Sequence, residues 1–337
     1  MKYKLLSVHN KDVNNIGDYI QALASSQFPP TIDGFVNRER LDSYKEECQI
    51  IMNGWFMHHS ENWPPSEYIK PLFRAFHINN SVKNEMLKDE GISYLKKHEP
   101  IGCRDTNTVN LLVNKGVNAY FSGCMTLTLG YKFKSFEKDK TCYFVDPVIP
   151  NKTSLSSLLS DTFYLIINWK TCRQISIHLF GTNINLRRFI KTGRFYRLYH
   201  KFFSQETLIN AVFVNQESSF YTTNFPTDET RLKEAERLVR LYSKASLVVT
   251  GRIHCALPCL GLETPVVFTQ LENDDFISTC RFGGLSDLFN IMFLNERESK
   301  LNFQMNSLID INHTPENKTS WKSIAQKLID DCKDFVK

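Results

Sequence analysis

Long apolar runs are missing from these 337 residues: nowhere do about eighteen apolar residues follow one another, the span a helix needs to cross a bilayer. The amino terminus, MKYKLLSVHNKDVNN, offers only Leu5 and Leu6 before polar residues return, which fits neither a secretory signal nor an anchor. An excess of one charge is missing too. Lys and Arg total 41 and Asp and Glu 36, and a net +5 spread over so large a surface does not argue for nucleic acid. The nine cysteines keep no disulfide or zinc spacing, and without a secretory signal they read as reduced thiols in a cytoplasmic protein. Nothing resembles a Gly-rich P-loop or a nucleophile elbow, which removes the common NTPase and serine-hydrolase readings. Asp274-Asp275 lacks the Asp-x-Asp spacing of metal-dependent glycosyltransferases, so no required metal is expected.

What is present is ample material for a folded core, with 42% hydrophobic and 12% aromatic residues in a chain about twice a typical domain length. The pattern predicts a strand over 3–8, a helix over 18–24 and a strand over 47–52. A helix over 106–115, stopped by Gly116, leads to a strand over 117–121. A charged run from Lys132 to Lys140 marks a boundary, after which strands are predicted at 141–145 and 211–214 and helices at 151–159 and 228–243. Apolar residues at helical spacing predict a final helix over 321–335. Strands alternating with helices predict an α/β protein with an N-terminal domain over 1–130, a second over 140–315 and a terminal segment, 316–337, able to pack back on the first.

Leu247 to Phe268, LVVTGRIHCALPCLGLETPVVF, is the most informative stretch, a strand, charged turn, small-residue helix and second strand in sequence. Thr250, Gly251, Arg252, Ile253 and His254 fall where the first strand meets the helix. There the free N–H groups and helix dipole attract anions, and parallel sheets bind ligands at that end. Arg252 and His254 therefore predict a phosphate or carboxylate site, against the plainer readings of a helix-capping arginine and a satisfied core histidine. Cys255 and Cys259 read as small core residues, because no second pair at zinc spacing accompanies them. Near the amino terminus, Gly17 and Asp18 open a helix after a loop, and Asp18 either caps it or faces a cleft as acid or base. His58 and His59 follow a Gly turn and can face the same cleft, whereas Ser122 to Thr128 can touch substrate or satisfy their own backbone.

Asn15-x-Gly17-Asp18-Tyr19-Ile20-Gln21, Asn53-Gly54-Trp55, the Arg104-Asp105 pair and above all Thr250-Gly251-Arg252-Ile253-His254 with Pro265-Val266-Val267 behind it resemble the polysaccharide pyruvyl transferase family over roughly residues 1 to 290. The resemblance implies two Rossmann-like lobes arranged as in GT-B glycosyltransferases, with phosphoenolpyruvate held by the second lobe and a saccharide acceptor by the first. By motif it implies Arg252 and His254 as donor contacts within Thr250, Gly251, Arg252, Ile253 and His254, with His254 also the catalytic acid. Asp18, from its expected place at the cleft, is the catalytic base, and Arg281, after a strand and an acidic loop, is either a second donor contact or an exposed surface arginine. Asn15, Gly17, Gln21, Asn53 and Gly54 fall on the acceptor side. No cofactor is implied, and the expected role is surface polysaccharide assembly of the capsule or O-antigen kind. The same frame serves nucleotide-sugar glycosyltransferases, whose donor diphosphate suits Arg252 and His254 equally, so a metal-independent glycosyltransferase is the alternative. A sugar-binding protein without turnover is the third reading.

Arg187 to Lys201, RRFIKTGRFYRLYHK, holds six Lys or Arg and no acid, interleaved with Phe189, Phe195, Tyr196 and Tyr199. Such a stretch is either an ordinary amphipathic helix or a peripheral contact with the anionic inner face of the cell membrane, where lipid-linked saccharide acceptors are assembled.

Overall fold

In the computed structural model, which describes residues 1–8, 14–151, 154–272 and 282–337, the strands collect into two mostly parallel sheets of a mixed α/β protein. Strands β1 (Lys2–Tyr3), β4 (Cys48–Phe56), β5 (Ile69–Ile78), β6 (Ile101–Cys103) and β7 (Ala119–Phe121) lie side by side in that order and all run parallel. The second sheet has the order β13 (Ser299–Leu301), β12 (Ile291–Leu294), β11 (Val266–Leu271), β10 (Leu247–Thr250), β8 (Cys142–Val145) and β9 (Val212–Val214). Only the β12–β13 pair in it is antiparallel. A small parallel pair, β2 (Leu5–Ser7) with β3 (Phe35–Asn37), stands apart.

The single strand expected over 3–8 is two strands. Lys4 N donates to Gln49 O and Leu5 N to Gly34 O, so the chain changes partner between adjacent residues and leaves the large sheet for β3. β4 also runs further than expected, through Asn53-Gly54-Trp55, because β5 answers with a bulge. Met52 pairs with Phe73 and Gly54 with Phe76, so one residue of β4 faces two of β5, and Ala75 takes φ 57° to absorb the extra one.

The helices that matter below are α1 (Gly17–Ser25), α2 (Thr106–Val113), α3 (Leu155–Ile167), α4 (Trp169–Phe180), α5 (Leu186–Tyr199), α6 (Asp228–Lys244), α7 (Ile253–Gly261) and α8 (Trp321–Phe335). Caps set several starts: Asp105 accepts from Thr108 N, Ser154 from Ser157 N, and Thr227 and Thr230 form a reciprocal box. The helix expected over 151–159 thus begins four residues later, at the first residue after Ser154.

One apolar cluster lies on the N-terminal sheet and another on one face of the C-terminal sheet. A third joins the two halves, packing Ile16, Ile20 and Leu23 of α1 with Leu238 of α6, Leu257 and Leu260 of α7 and Leu328 of α8. Backbone approach there is close enough that a Cβ on Gly130 would collide with Gly261 O. α8 returns to the first sheet, where Asp331 accepts from Arg74 Nε at 2.7 Å and from the Tyr120 hydroxyl at 3.1 Å.

The basic stretch 187–201 is mostly inward-facing. Phe195, Tyr196, Leu198 and Tyr199 are core residues, and Arg194 and Arg197 each place Nε 2.8 Å from the buried carboxylate of Asp161. This is the amphipathic helix of the two readings, except that Asp161, arriving from α3, draws Arg194 and Arg197 in with the apolar face.

Candidate active site

The carboxyl ends of β3, β4, β6, β9 and β10 deliver residues to one cavity of about 420 Å³. From the N-terminal half come Asn14, Asn15 and Asp18, then Arg38 after β3, Trp55 and His58 at the end of β4, and Arg104 after β6. From the C-terminal half come Gln216, Glu217 and the Gly251-Arg252-Ile253-His254 turn. This is the end of a parallel sheet at which connecting loops form ligand sites. Backbone bonds close its floor, since Ile16 N donates to Gln216 O at 3.0 Å and Ser218 N to Asn14 O at 3.0 Å.

Arg252 stands at the N-cap of α7 and is already engaged. Its Nε lies 2.9 Å from Asp146 Oδ2 and its Nη2 2.6 Å from Glu217 Oε2. Asp146, the residue after β8, also accepts from Gln216 N at 2.8 Å. The two carboxylates fix the guanidinium plane and leave its remaining N–H groups to a ligand. Thr250, expected among the donor contacts, is buried instead: its hydroxyl donates to Val145 O and accepts from Arg252 N, so it shapes the turn from beneath. Gly251 is needed for close approach, as a Cβ there would stand 2.7 Å from Val148 Cγ2 and 3.0 Å from Asp146 O.

On the opposite side, Asp18 lies on the first turn of α1, where Gln21 Nε2 donates to it at 3.2 Å and Arg38 Nη1 is 3.8 Å away. Gly17 brings the two halves together, because a Cβ on it would be 3.1 Å from His254 Cβ and 3.3 Å from His254 Nδ1. α1 and the His254 turn therefore abut, and Asp18 and His254 line the same cavity. Asn15 lines it too and uses Oδ1 to accept from Gly17 N at 2.9 Å. Gln21, Asn53 and Gly54 do not line it. Asn53 is buried, accepting from Ser25 Oγ and donating to Gln21 O, and Gly54 at φ 110° leaves room for the Gln21 and Arg38 side chains. Asn53 and Gln21 tie α1 to β4, and Gly54 makes room beside Arg38.

The sequence reading missed Arg38 and gave Arg104 no role. Arg38 is buried, stacked over Trp55 at 5.2 Å from the ring centroid, with Nε 3.4 Å from Glu39 Oε1. Glu39 in turn accepts from His58 N and His59 N, so one buried carboxylate ties the arginine to the His58 loop. His58 packs on Trp55 at 4.5 Å, while its neighbour His59 turns outward to Glu61. A visible signal for Arg38 was its place directly after a strand, a position shared with Arg104 and Asp146.

Arg104 is only 3% exposed, and its Nε has no hydrogen-bond partner among the described residues, although the side chain opens into the cavity. Burying a guanidinium nitrogen without a partner is costly, a cost that an anion bound in the cavity would offset. The adjacent Asp105 does not neutralise it by hydrogen bonding. Its carboxylate is spent on capping α2 through Thr108 and on His77 Nδ1 at 2.5 Å. Burial pushes the Asp105 carboxyl up, but the His77 hydrogen bond, aided by Arg104 and Thr108, holds it below the usual value.

Other expectations resolve plainly. Ser122 accepts from Ala75 N and donates to Cys103 O, so its hydroxyl completes the bulge backbone. Cys255 and Cys259 are free thiols buried in α7. Arg281 and Asp274-Asp275 lie outside the described residues.

A family model described as polysaccharide pyruvyl transferase matches residues 3–270. No curated protein matches the sequence. Among solved structures, a protein of uncharacterised function from Klebsiella pneumoniae subsp. pneumoniae is 12% identical, covers 87% of this chain and 93% of its own, and superposes with a TM-score of 0.42, too distant to carry an argument.

Proposed function

Because this chain belongs to the polysaccharide pyruvyl transferase family, we propose that it moves a pyruvyl group from phosphoenolpyruvate to a saccharide in surface polysaccharide assembly. The observation that carries the donor assignment is the buried guanidinium of Arg104, whose Nε has no hydrogen-bond partner among the described residues, in a cavity that also holds Arg38 and Arg252. Three arginines and two histidines line it against Asp18 and Glu217, an arrangement suited to a small ligand bearing more than one anionic group. Phosphoenolpyruvate has two, a carboxylate and a phosphate.

In this reading Arg252, held by Asp146 and Glu217, and Arg104 grip the two ends of the donor. The methylene carbon takes a proton, developing oxocarbenium character at C2, and an acceptor hydroxyl adds there. A second hydroxyl then displaces phosphate as the C2–O bond to phosphorus breaks, leaving a cyclic ketal. Of the two hydroxyl protons released, one balances the new methyl group and the other departs with phosphate. His254 supplies the proton to carbon, and Asp18 receives the proton of the attacking hydroxyl. Arg38 Nη1 lies 3.8 Å from the Asp18 carboxylate and helps to hold it in the cavity. The cations stabilise charge on departing phosphate, which is where fixed dipoles and charges lower a barrier most.

The reading also takes the halves as GT-B-like lobes, 1–130 for the acceptor and 140–315 for the donor, with the saccharide entering past Trp55 and His58. Calorimetry with phosphoenolpyruvate beside UDP, CMP and GDP tests it. Phosphoenolpyruvate binding without nucleotide binding is expected; the reverse would assign the site to a nucleotide-sugar transferase.

A further inference from the structure

The outer face of α3 is apolar and uncovered. Leu155, Leu159, Phe163, Ile166 and Ile167 recur at helical spacing along one stripe, and the first four are 74, 65, 60 and 65% exposed. The opposite face is occupied, since Asp161 and Leu165 press on α5, so closely that a Cβ on Gly193 would stand 2.6 Å from Asp161 O. Among the described residues the stripe therefore has no partner. Trp169, at the start of α4, continues it. Its ring is half exposed and meets Phe189 of α5 edge-on at 4.6 Å.

The charge around this stripe has one sign. From residue 147 to 205 the sequence contains a single acid, Asp161, and that carboxylate is buried between Arg194 and Arg197. Lys170 and Arg173 are exposed on α4, and Arg187 and Arg188 flank the Trp169–Phe189 contact at the start of α5. Glu296, which approaches from the C-terminal sheet, is engaged by Ser154 N at 2.7 Å.

We propose that α3 with the start of α4 is a docking face for an anionic lipid bilayer, the stripe entering the headgroup boundary and Lys170, Arg173, Arg187 and Arg188 meeting the lipid phosphates. At 13 residues α3 is about 20 Å long, too short to span a membrane and suited to lying in its plane. Among the described residues no helix is long and apolar enough to cross one. A second copy of the chain fits less well. In a twofold contact the same patch meets itself, which would set these cations against their own images without a compensating acid. The surface differs from the 187–201 stretch as a whole, two of whose six cations, Arg194 and Arg197, and most of whose aromatics are internal. It is independent of the donor: α3 follows β8 by way of Asp146, and docking leaves the cavity residues untouched.

The test is vesicle flotation with the full chain, comparing phosphatidylcholine with an equal mixture of phosphatidylcholine and phosphatidylglycerol at low and high salt. Wild-type protein floats with the mixed vesicles at least about tenfold more than with phosphatidylcholine alone, and salt weakens the binding. Leu159→Ser with Phe163→Ser, and separately Lys170→Glu with Arg173→Glu, each lower binding by about tenfold or more while thermal melting and donor affinity in lipid-free solution stay at wild-type values. Tryptophan emission shifts to the blue on binding, and Trp169→Phe removes the shift. The proposal is overturned if wild-type protein ignores mixed vesicles at low salt or if the serine variant binds them as well as wild type. It is equally overturned if sedimentation finds a lipid-free dimer that the serine variant dissociates, which would assign the face to a second copy.

Discussion

Arg252 at the mouth of α7 is held by Asp146 at the end of β8, Nε to Oδ2 at 2.9 Å, and Asp146 adopts φ 41° to present that oxygen. A left-handed backbone is tolerated by Asp but still sparsely populated, and it persists because the carboxylate also accepts from Gln216 N. The pair links three strand ends and so fixes the direction of the guanidinium.

Asp146→Asn keeps the side-chain shape and the tolerance for positive φ but removes the charge that orients Arg252. Donor affinity should fall by about tenfold, the loss of one charge-assisted hydrogen bond of roughly 1.5 kcal/mol. Calorimetry with phosphoenolpyruvate reads this directly, and an unchanged dissociation constant would show that Arg252 is aimed by Glu217 alone.

Arg104→Met replaces the buried cation by an apolar chain of similar length. The ligand-free protein should melt no lower than wild type, because the variant removes a desolvated charge whose Nε lacks a partner. Donor binding should weaken by at least about tenfold. A sharp drop in melting temperature would mean that the guanidinium stabilises the fold, which would sink its assignment as a waiting anion site.

Gly130→Ala forces a methyl group against the carbonyl of Gly261 in α7, a backbone atom with no rotamer to move aside. Overpacking of this kind costs about 1–3 kcal/mol, to be measured as a lower urea midpoint with an unchanged slope. Since α7 carries the His254 turn, donor affinity should decline with it.

The fastening of α8 to the first sheet is pH-dependent. Burial pushes the Asp331 carboxyl up, but Arg74 and Lys327 outweigh it and hold it below its ordinary value of 3.8. A depressed folded-state value means that the unfolded chain binds the proton more readily, so this stabilisation is present above the ordinary value and is lost as pH falls through the folded one. Melting temperature should therefore decline more steeply for wild type than for Asp331→Asn as pH falls below about 4. Parallel curves would show that the ion pair contributes nothing.

Two stretches were readable from the sequence because short-range physics governs them. The β10–α7–β11 unit is strand, turn and helix within one local pattern, and α8 keeps its apolar period from Trp321 to Phe335. Asp18, Asn15 and the Gly251-Arg252-Ile253-His254 turn were likewise found, since strand ends and helix starts are local signals, and all of them line the cavity. Thr250, Gln21, Asn53 and Gly54 were given ligand roles and instead support the wall. Whether a side chain at a strand end faces the cavity or the core depends on neighbours far away in sequence.

The sequence by itself determined the α/β alternation, the anion-attracting turn at Arg252 and His254 and the resemblance to the family to which the chain belongs, because each is written in residues close together along the chain. Tertiary structure alone decided that Arg38 and Arg104 join that turn, that Asp146 aims it, that Asp161 withdraws Arg194 and Arg197 from the surface, and that α3 shows its apolar stripe to solvent. Each of these is a pairing across tens to hundreds of residues, and burial, which sets the energy of a charge, exists only once the distant partner has arrived.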